Sequence, residues 1–364
     1  MSTVRGRRRS IGRAEFVALL AMAMATGALG IDLMLPAFDV MRADLGLAPD
    51  STAIAGVITT YFLGLAAGTF VYGPLADRFG RRPVLFASYA IYGVGALTST
   101  FAPSLALLLI TRFVWGLGAA GSRVVAFAVI RDAYEGEEMS RVMSLIMAVF
   151  ILVPVVAPTI GAGIVAIASW RWVFGVCVLA VSAMALWTTR LPETLHEEYR
   201  LEASFERISR AAGTVLSNRT TVGYTLAMTS LYAVFISYLG TAEIIFGQTF
   251  DQGARFPYIF GGLAAVMGVA MVVNSKIVRR VGTRRMTRVV FVAYLVAASG
   301  LATLALATGG RPPLAAFLVG LAAMFGSHAL LIPNMNSIAM GPMAEVAGTA
   351  SSLMGAAQLG VGAL

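Results

Sequence analysis

Charge is scarce in this chain: Asp, Glu, Lys and Arg make up 12% of its 364 residues, about half the share of an ordinary soluble domain. Apolar residues fill 58%, more than a soluble protein of this size can hide, because its surface needs polar cover. That excludes an ordinary soluble enzyme, and it excludes disorder. Cys177 is the single cysteine, so no internal disulfide can staple a secreted scaffold. Histidine occurs twice, and no metal-ligand cluster, phosphate-cradling loop or nucleophile elbow stands out. No cofactor, metal or enzymatic reaction is therefore expected.

Long apolar runs are abundant. A hydrocarbon layer about 30 Å thick needs roughly 20 apolar helical residues. Eleven runs qualify: 16–38, 52–76, 83–101, 104–130, 142–167, 170–190, 221–246, 256–276, 286–308, 312–339 and 345–364. They are apolar nearly all round and rich in Gly and Ala, as suits helices packed against helices in lipid. Closed barrels would alternate polar and apolar residues instead. The expected fold is an all-α polytopic membrane protein.

The net charge of +9 follows topology. With the N-terminus inside, 21 of the 27 Lys and Arg fall on that side. Four lie outside (Arg42, Arg171, Arg255, Arg311) and two within the fourth run (Arg112, Arg123). Short loops rich in Lys and Arg stay cytoplasmic. The basic balance therefore reads as orientation and attraction to anionic lipid, not as nucleic-acid binding. The apolar start runs too far past Ala21-Met22-Ala23 for a cleaved signal, so an uncleaved first helix is expected.

One long polar connection, 191–220, separates six runs (1–190) from five (221–364). Within it, 201–216 is expected to form an amphipathic surface helix. The two halves echo each other: Arg78-Phe79-Gly80-Arg81-Arg82 lies 202 residues before Arg280-Val281-Gly282-Thr283-Arg284. Gly118-Ala119-Ala120 lies at the same offset from Gly320-Leu321-Ala322. Parallel repeats of this kind build a central pathway between two bundles.

Gly73-Pro74-Leu75-Ala76-Asp77-Arg78-Phe79-Gly80-Arg81-Arg82 closely resembles the signature loop of the major facilitator superfamily. Four further stretches resemble its drug:proton antiporters of the bicyclomycin/chloramphenicol-resistance type. These are Asp32-Leu33-Met34-Leu35-Pro36-Ala37, Arg112-Phe113-Val114-Trp115-Gly116, Arg131-Asp132 and Pro154-Val155-Val156-Ala157-Pro158-Thr159-Ile160-Gly161. Trp170-Arg171-Trp172-Val173-Phe174 and Leu191-Pro192-Glu193-Thr194 add support. The resemblance covers the first half thoroughly and the second loosely. It implies the major facilitator fold, a multi-pass protein of the bacterial inner membrane, a monomer, and protons and a small-molecule substrate as partners. The family has twelve spans, so this chain is expected to stop within its eleventh.

The resemblance also implies roles. Asp77 caps a helix of the other half, near Glu345, and Arg81 pairs with Asp132. With Gly73, Arg78 and Gly80 these residues form a latch on the cytoplasmic side. Pro154, Pro158 and Gly161 stand where antiporters carry a helix-five Gly-Pro element that seals the inner leak.

Charge within the runs is the strongest pointer to chemistry. Each charged residue at a helix centre costs roughly 2.5–3.5 kcal/mol, so it marks function by default. Asp32, Arg112 and Arg123 lie well inside, with Glu243 at a border. Arg112 and Arg123 are eleven residues apart, which places them on one helix face about 16 Å from each other. Asp32 and Arg112 match in depth. They are expected either to pair as a static link or to exchange partners with a proton or substrate. Arg123 either joins them or snorkels to the inner surface. Glu243 reads as an interface residue or a functional one, and His328 as structural or titrating. Tyr232 and Tyr238 are candidates to line an apolar cavity.

The expected activity is export of amphiphilic, drug-like molecules in exchange for protons by alternating access. Symport or uniport of a metabolite is the alternative within transporters. A non-transporting sensor or a membrane enzyme is the alternative outside them.

Overall fold

The computed structural model describes residues 11–134, 136–195 and 205–364. Thirteen α-helices follow one another, with no strand among the described residues. They are α1 (Arg13–Asp32), α2 (Phe38–Asp44), α3 (Gly56–Phe79), α4 (Arg81–Thr100), α5 (Leu105–Ala133), α6 (Gly136–Ile167) and α7 (Arg171–Thr188). After the linker come α8 (Phe205–Ser217), α9 (Arg219–Ile244), α10 (Phe256–Val281), α11 (Thr283–Ala307), α12 (Leu314–Met340) and α13 (Ala347–Gly360).

Every expected run coincides with a helix. Nine helical stretches among the described residues are long and apolar enough to cross a membrane. The other two expected runs are α4 and α13. α4 carries Ser88, Tyr89, Tyr92 and Ser99 on the face it buries, which dilutes its hydropathy. α13 has 14 residues before a closing 3-10 turn. The first run is interrupted: α1 ends at Asp32, and a short 3-10 turn at Leu35–Ala37 leads into α2. Pro36 causes the break, because it has no N–H to continue the helical ladder. The amphipathic linker helix forms as α8, where Val215 packs on Met343 and Ala350 beside the start of α13.

Glycines bring backbones together within the first bundle. A Cβ on Gly116 would stand 2.0 Å from the Tyr61 carbonyl, and one on Gly118 2.2 Å from the Tyr92 nitrogen. Thus α5 lies directly against α3 and α4, and no larger residue fits those crossings. α9, α10, α11 and α12 pack into the second bundle. The bundles meet along α3–α13, α3–α9 and α6–α10. Along the first seam, Ala66, Thr69 and Gly73 face Gly360, Gly355 and Ser352, so α3 and α13 run antiparallel.

Candidate functional site

Asp32 ends α1 inside the first membrane-spanning stretch. It is buried, 5% exposed, and makes no hydrogen bond or ion pair with any described residue. Arg112 of α5 is fully buried nearby, but it does not take Asp32 as its partner. Its Nη1 donates to the Gly30 carbonyl at 2.8 Å and its Nε to the Val57 carbonyl at 3.1 Å. Its guanidinium lies over Tyr61 at 4.3 Å, Trp115 at 4.6 Å and Phe174 at 5.8 Å. Carbonyl oxygens and ring faces thus hold the cation in place of a carboxylate, an arrangement that strengthens when water is excluded. Its Nη2 has no partner. The expected Asp32–Arg112 pair is therefore absent from this conformation. Depth matching could not foresee that main-chain oxygens from α1 and α3 would claim the guanidinium. Arg123 is exposed and unpaired among the described residues, although it follows Arg112 by three helical turns.

At the signature loop, Arg81 begins α4 and meets carboxylates from the ends of two other helices. Arg81, 3% exposed, donates through Nη1 to Asp77 Oδ1 at 2.5 Å and through Nε to Asp132 Oδ2 at 2.7 Å. The pair ties the end of α3 to the end of α5. Arg78 is exposed and lies over the Phe79 ring. Gly73 faces Ser352 of α13. The side chain of Glu345, the expected neighbour of Asp77, lies outside the described residues.

Pro154 and Pro158 sit inside α6. One turn on, a Cβ at Gly161 would stand 1.9 Å from the Leu33 carbonyl. α6 therefore bears directly on the residue after Asp32.

In the second bundle, His328 stacks on Phe235 with ring centroids 5.3 Å apart and meets Tyr232 edge-on at 5.7 Å. Tyr238 packs on Phe325 and Phe260, and its hydroxyl is buried without a partner. Glu243 joins the bundles: it pairs with Arg42, both are buried, and Arg42 also bonds Asp39 at 2.6 Å. Gln248 donates to the Pro49 carbonyl at the same end.

Sequence reasoning missed three partners. Arg42 reads in the sequence as an outside loop charge, and the carboxylate it pairs with, Glu243, stands 201 residues away. Glu193 and Thr194 reach the signature loop from beyond α7. The acid in Leu191-Pro192-Glu193-Thr194 was the available signal.

The sequence matches the Major Facilitator Superfamily over residues 18–364. The chain belongs to the major facilitator superfamily. It is a multi-pass membrane transporter of small molecules in this superfamily, and not an enzyme. It is 30% identical to the bicyclomycin resistance protein homolog of Haemophilus influenzae over 96% of this chain and 87% of that protein. It is 29% identical to the multidrug resistance protein MdtL of Escherichia coli, covering 91% and 82%. The D-xylose-proton symporter has the same superfamily fold, with a TM-score of 0.71 at 14% identity over 96% of this chain and 86% of that one.

Proposed function

We propose that this transporter exports amphiphilic, drug-like molecules in exchange for protons. The observation that carries the reading is Asp32: a buried, unpartnered carboxylate inside a spanning helix, one residue before the contact with α6. A carboxylate there is costly unless it works. Substrate or proton is a suitable partner, because Arg112 is already held by carbonyls and rings. The names of the curated relatives, bicyclomycin resistance and multidrug resistance, support drug-like cargo.

In this reading Asp32 alternates between proton and substrate, and Arg112 sets the field around it. Arg123 and His328 lie along the path, and Tyr232 and Tyr238 contact apolar cargo. The latch of Gly73, Asp77, Arg78, Gly80, Arg81 and Asp132 holds one end shut. Pro154, Pro158 and Gly161 bend α6 and limit leak. The chain acts as a monomer in a bacterial inner membrane, N-terminus inside, with bundles 1–190 and 221–364 joined by 191–220.

Asp32→Asn tests this in everted vesicles. Proton-coupled efflux is expected to fall to background while the protein amount stays at the parent level. Full coupled efflux from that variant would overturn the assignment.

A further inference from the structure

Leu191 is buried after α7, and it anchors a short turn whose next residues reach back into the signature loop. Glu193 Oε1 accepts from the Arg81 N–H at 2.8 Å, from Leu195 at 3.0 Å and from Thr194 at 3.1 Å. Its Oε2 accepts from the Arg82 N–H at 3.0 Å. One carboxylate thus satisfies the first amides of α4 together with those of its own turn. It also sits at the positive end of a 20-residue helix.

Neighbouring contacts close a ring. Thr194 Oγ1 donates to Asp132 Oδ2 at 3.3 Å, the same oxygen that receives Arg81 Nε. Arg82 Nη2 donates to the Thr189 carbonyl at 2.9 Å. Gly80 makes room: a Cβ there would stand 2.7 Å from Glu193 Oε2. The chain of contacts runs from Asp77 through Arg81 and Asp132 to Thr194, and back through Glu193 to the backbone of Arg81.

We infer that Glu193 is a positioning residue of the latch, acting with Thr194 to hold Arg81 in register with Asp77 and Asp132 and thereby setting how long that end stays closed. It touches no cargo and acts only through the latch. The proposal rests on the alternating-access reading above, and its test needs no substrate.

The reporter is Ser352→Cys in the full chain, since Ser352 faces Gly73 at this end. Native Cys177 is buried and out of reach of a membrane-impermeant maleimide. Glu193→Gln keeps an acceptor but turns amide hydrogens toward one of the N–H groups. It is expected to raise the labelling rate of the reporter about tenfold, the scale of one lost charge-assisted contact. Thr194→Val is expected to raise it about twofold and serves if the Gln variant fails to fold. Combined with Asp132→Asn, Glu193→Gln is expected to add nothing further, because both act through Arg81. Unchanged labelling with a lowered melting temperature would overturn the inference and leave Glu193 a clamp of the fold. So would independent, multiplying effects of Glu193→Gln and Asp132→Asn. Altered labelling without proton-coupled efflux in the parent would keep the role of Glu193 and sink the exporter reading instead.

Discussion

At residue 80 in the first bundle and residue 282 in the second, the chain makes the same turn. Gly80 has φ 99° and ψ 159°, and Gly282 has φ 86° and ψ 144°. Each glycine ends one long helix and starts the next, 202 residues apart. The surroundings differ. Past Gly80 stands buried Arg81, and past Gly282 stands Thr283. Asp132, which pairs with Arg81, finds Asn334 at the same offset. Asn334 donates to Asn274 at 2.7 Å and to the Leu330 carbonyl at 2.8 Å. The start of α4 is capped by Glu193, whereas no described side chain accepts from the start of α11. One fold therefore carries an ionic network in one half and a neutral amide seam in the other. Ion pairs are strong when made and costly when broken. Neutral amides hold with about 1 kcal/mol per bond. If the first contact parts in the transport cycle proposed above, its ions regain water and recover much of the lost attraction, whereas the second is buried between α10 and α12.

Making the first half resemble the second is the harshest way to break this contrast. Asp132→Asn leaves buried Arg81 with only Asp77, and a broken buried pair costs about 3–5 kcal/mol. Transport in proteoliposomes is expected to fall at least a hundredfold. The mirror change, Asn334→Ala, leaves Asn274 without its donor. It should lower stability by about 1–3 kcal/mol, seen as a reduced melting temperature in detergent, with a much milder effect on turnover. The glycines give a finer comparison. Both Gly80→Ala and Gly282→Ala incur about 1–3 kcal/mol of backbone strain. Only the first also collides with Glu193, because no atom lies within 4 Å of a Cβ on Gly282. Gly80→Ala is therefore expected to melt lower and transport less than its mirror. Arg284→Ala should do least. That residue is exposed and unpaired among the described residues, and its loss is expected within about 0.5 kcal/mol of the parent.

Much of this was legible in the sequence, and the exceptions share a cause. Helix positions followed from apolar length, since lipid demands an internally bonded backbone. A spacing of four suggested that Asp77 and Arg81 meet, and they do, but across the Gly80 turn: Asp77 lies in the last turn of α3 and Arg81 begins α4. Arg42–Glu243 and Glu193–Arg81 did not, because each joins residues more than a hundred positions apart, and no local period records such proximity. The Arg112 partners were hidden for a second reason: they are main-chain oxygens, which carry no residue signature. The small-residue seam between α3 and α13 lay in plain view as Gly and Ala, yet composition alone does not say which helix faces which.

The contact between Gly161 and Leu33 has a consequence for heredity. Position 161 has no space for even a methyl group without displacing the backbone beside Asp32. Position 163, two residues along the same helix, meets nothing within 4 Å. If a population carrying every codon at both positions were grown under drug selection, 163 should drift widely while 161 returns glycine. The first such escape at 161 should arrive with a second change in the turn that follows Asp32.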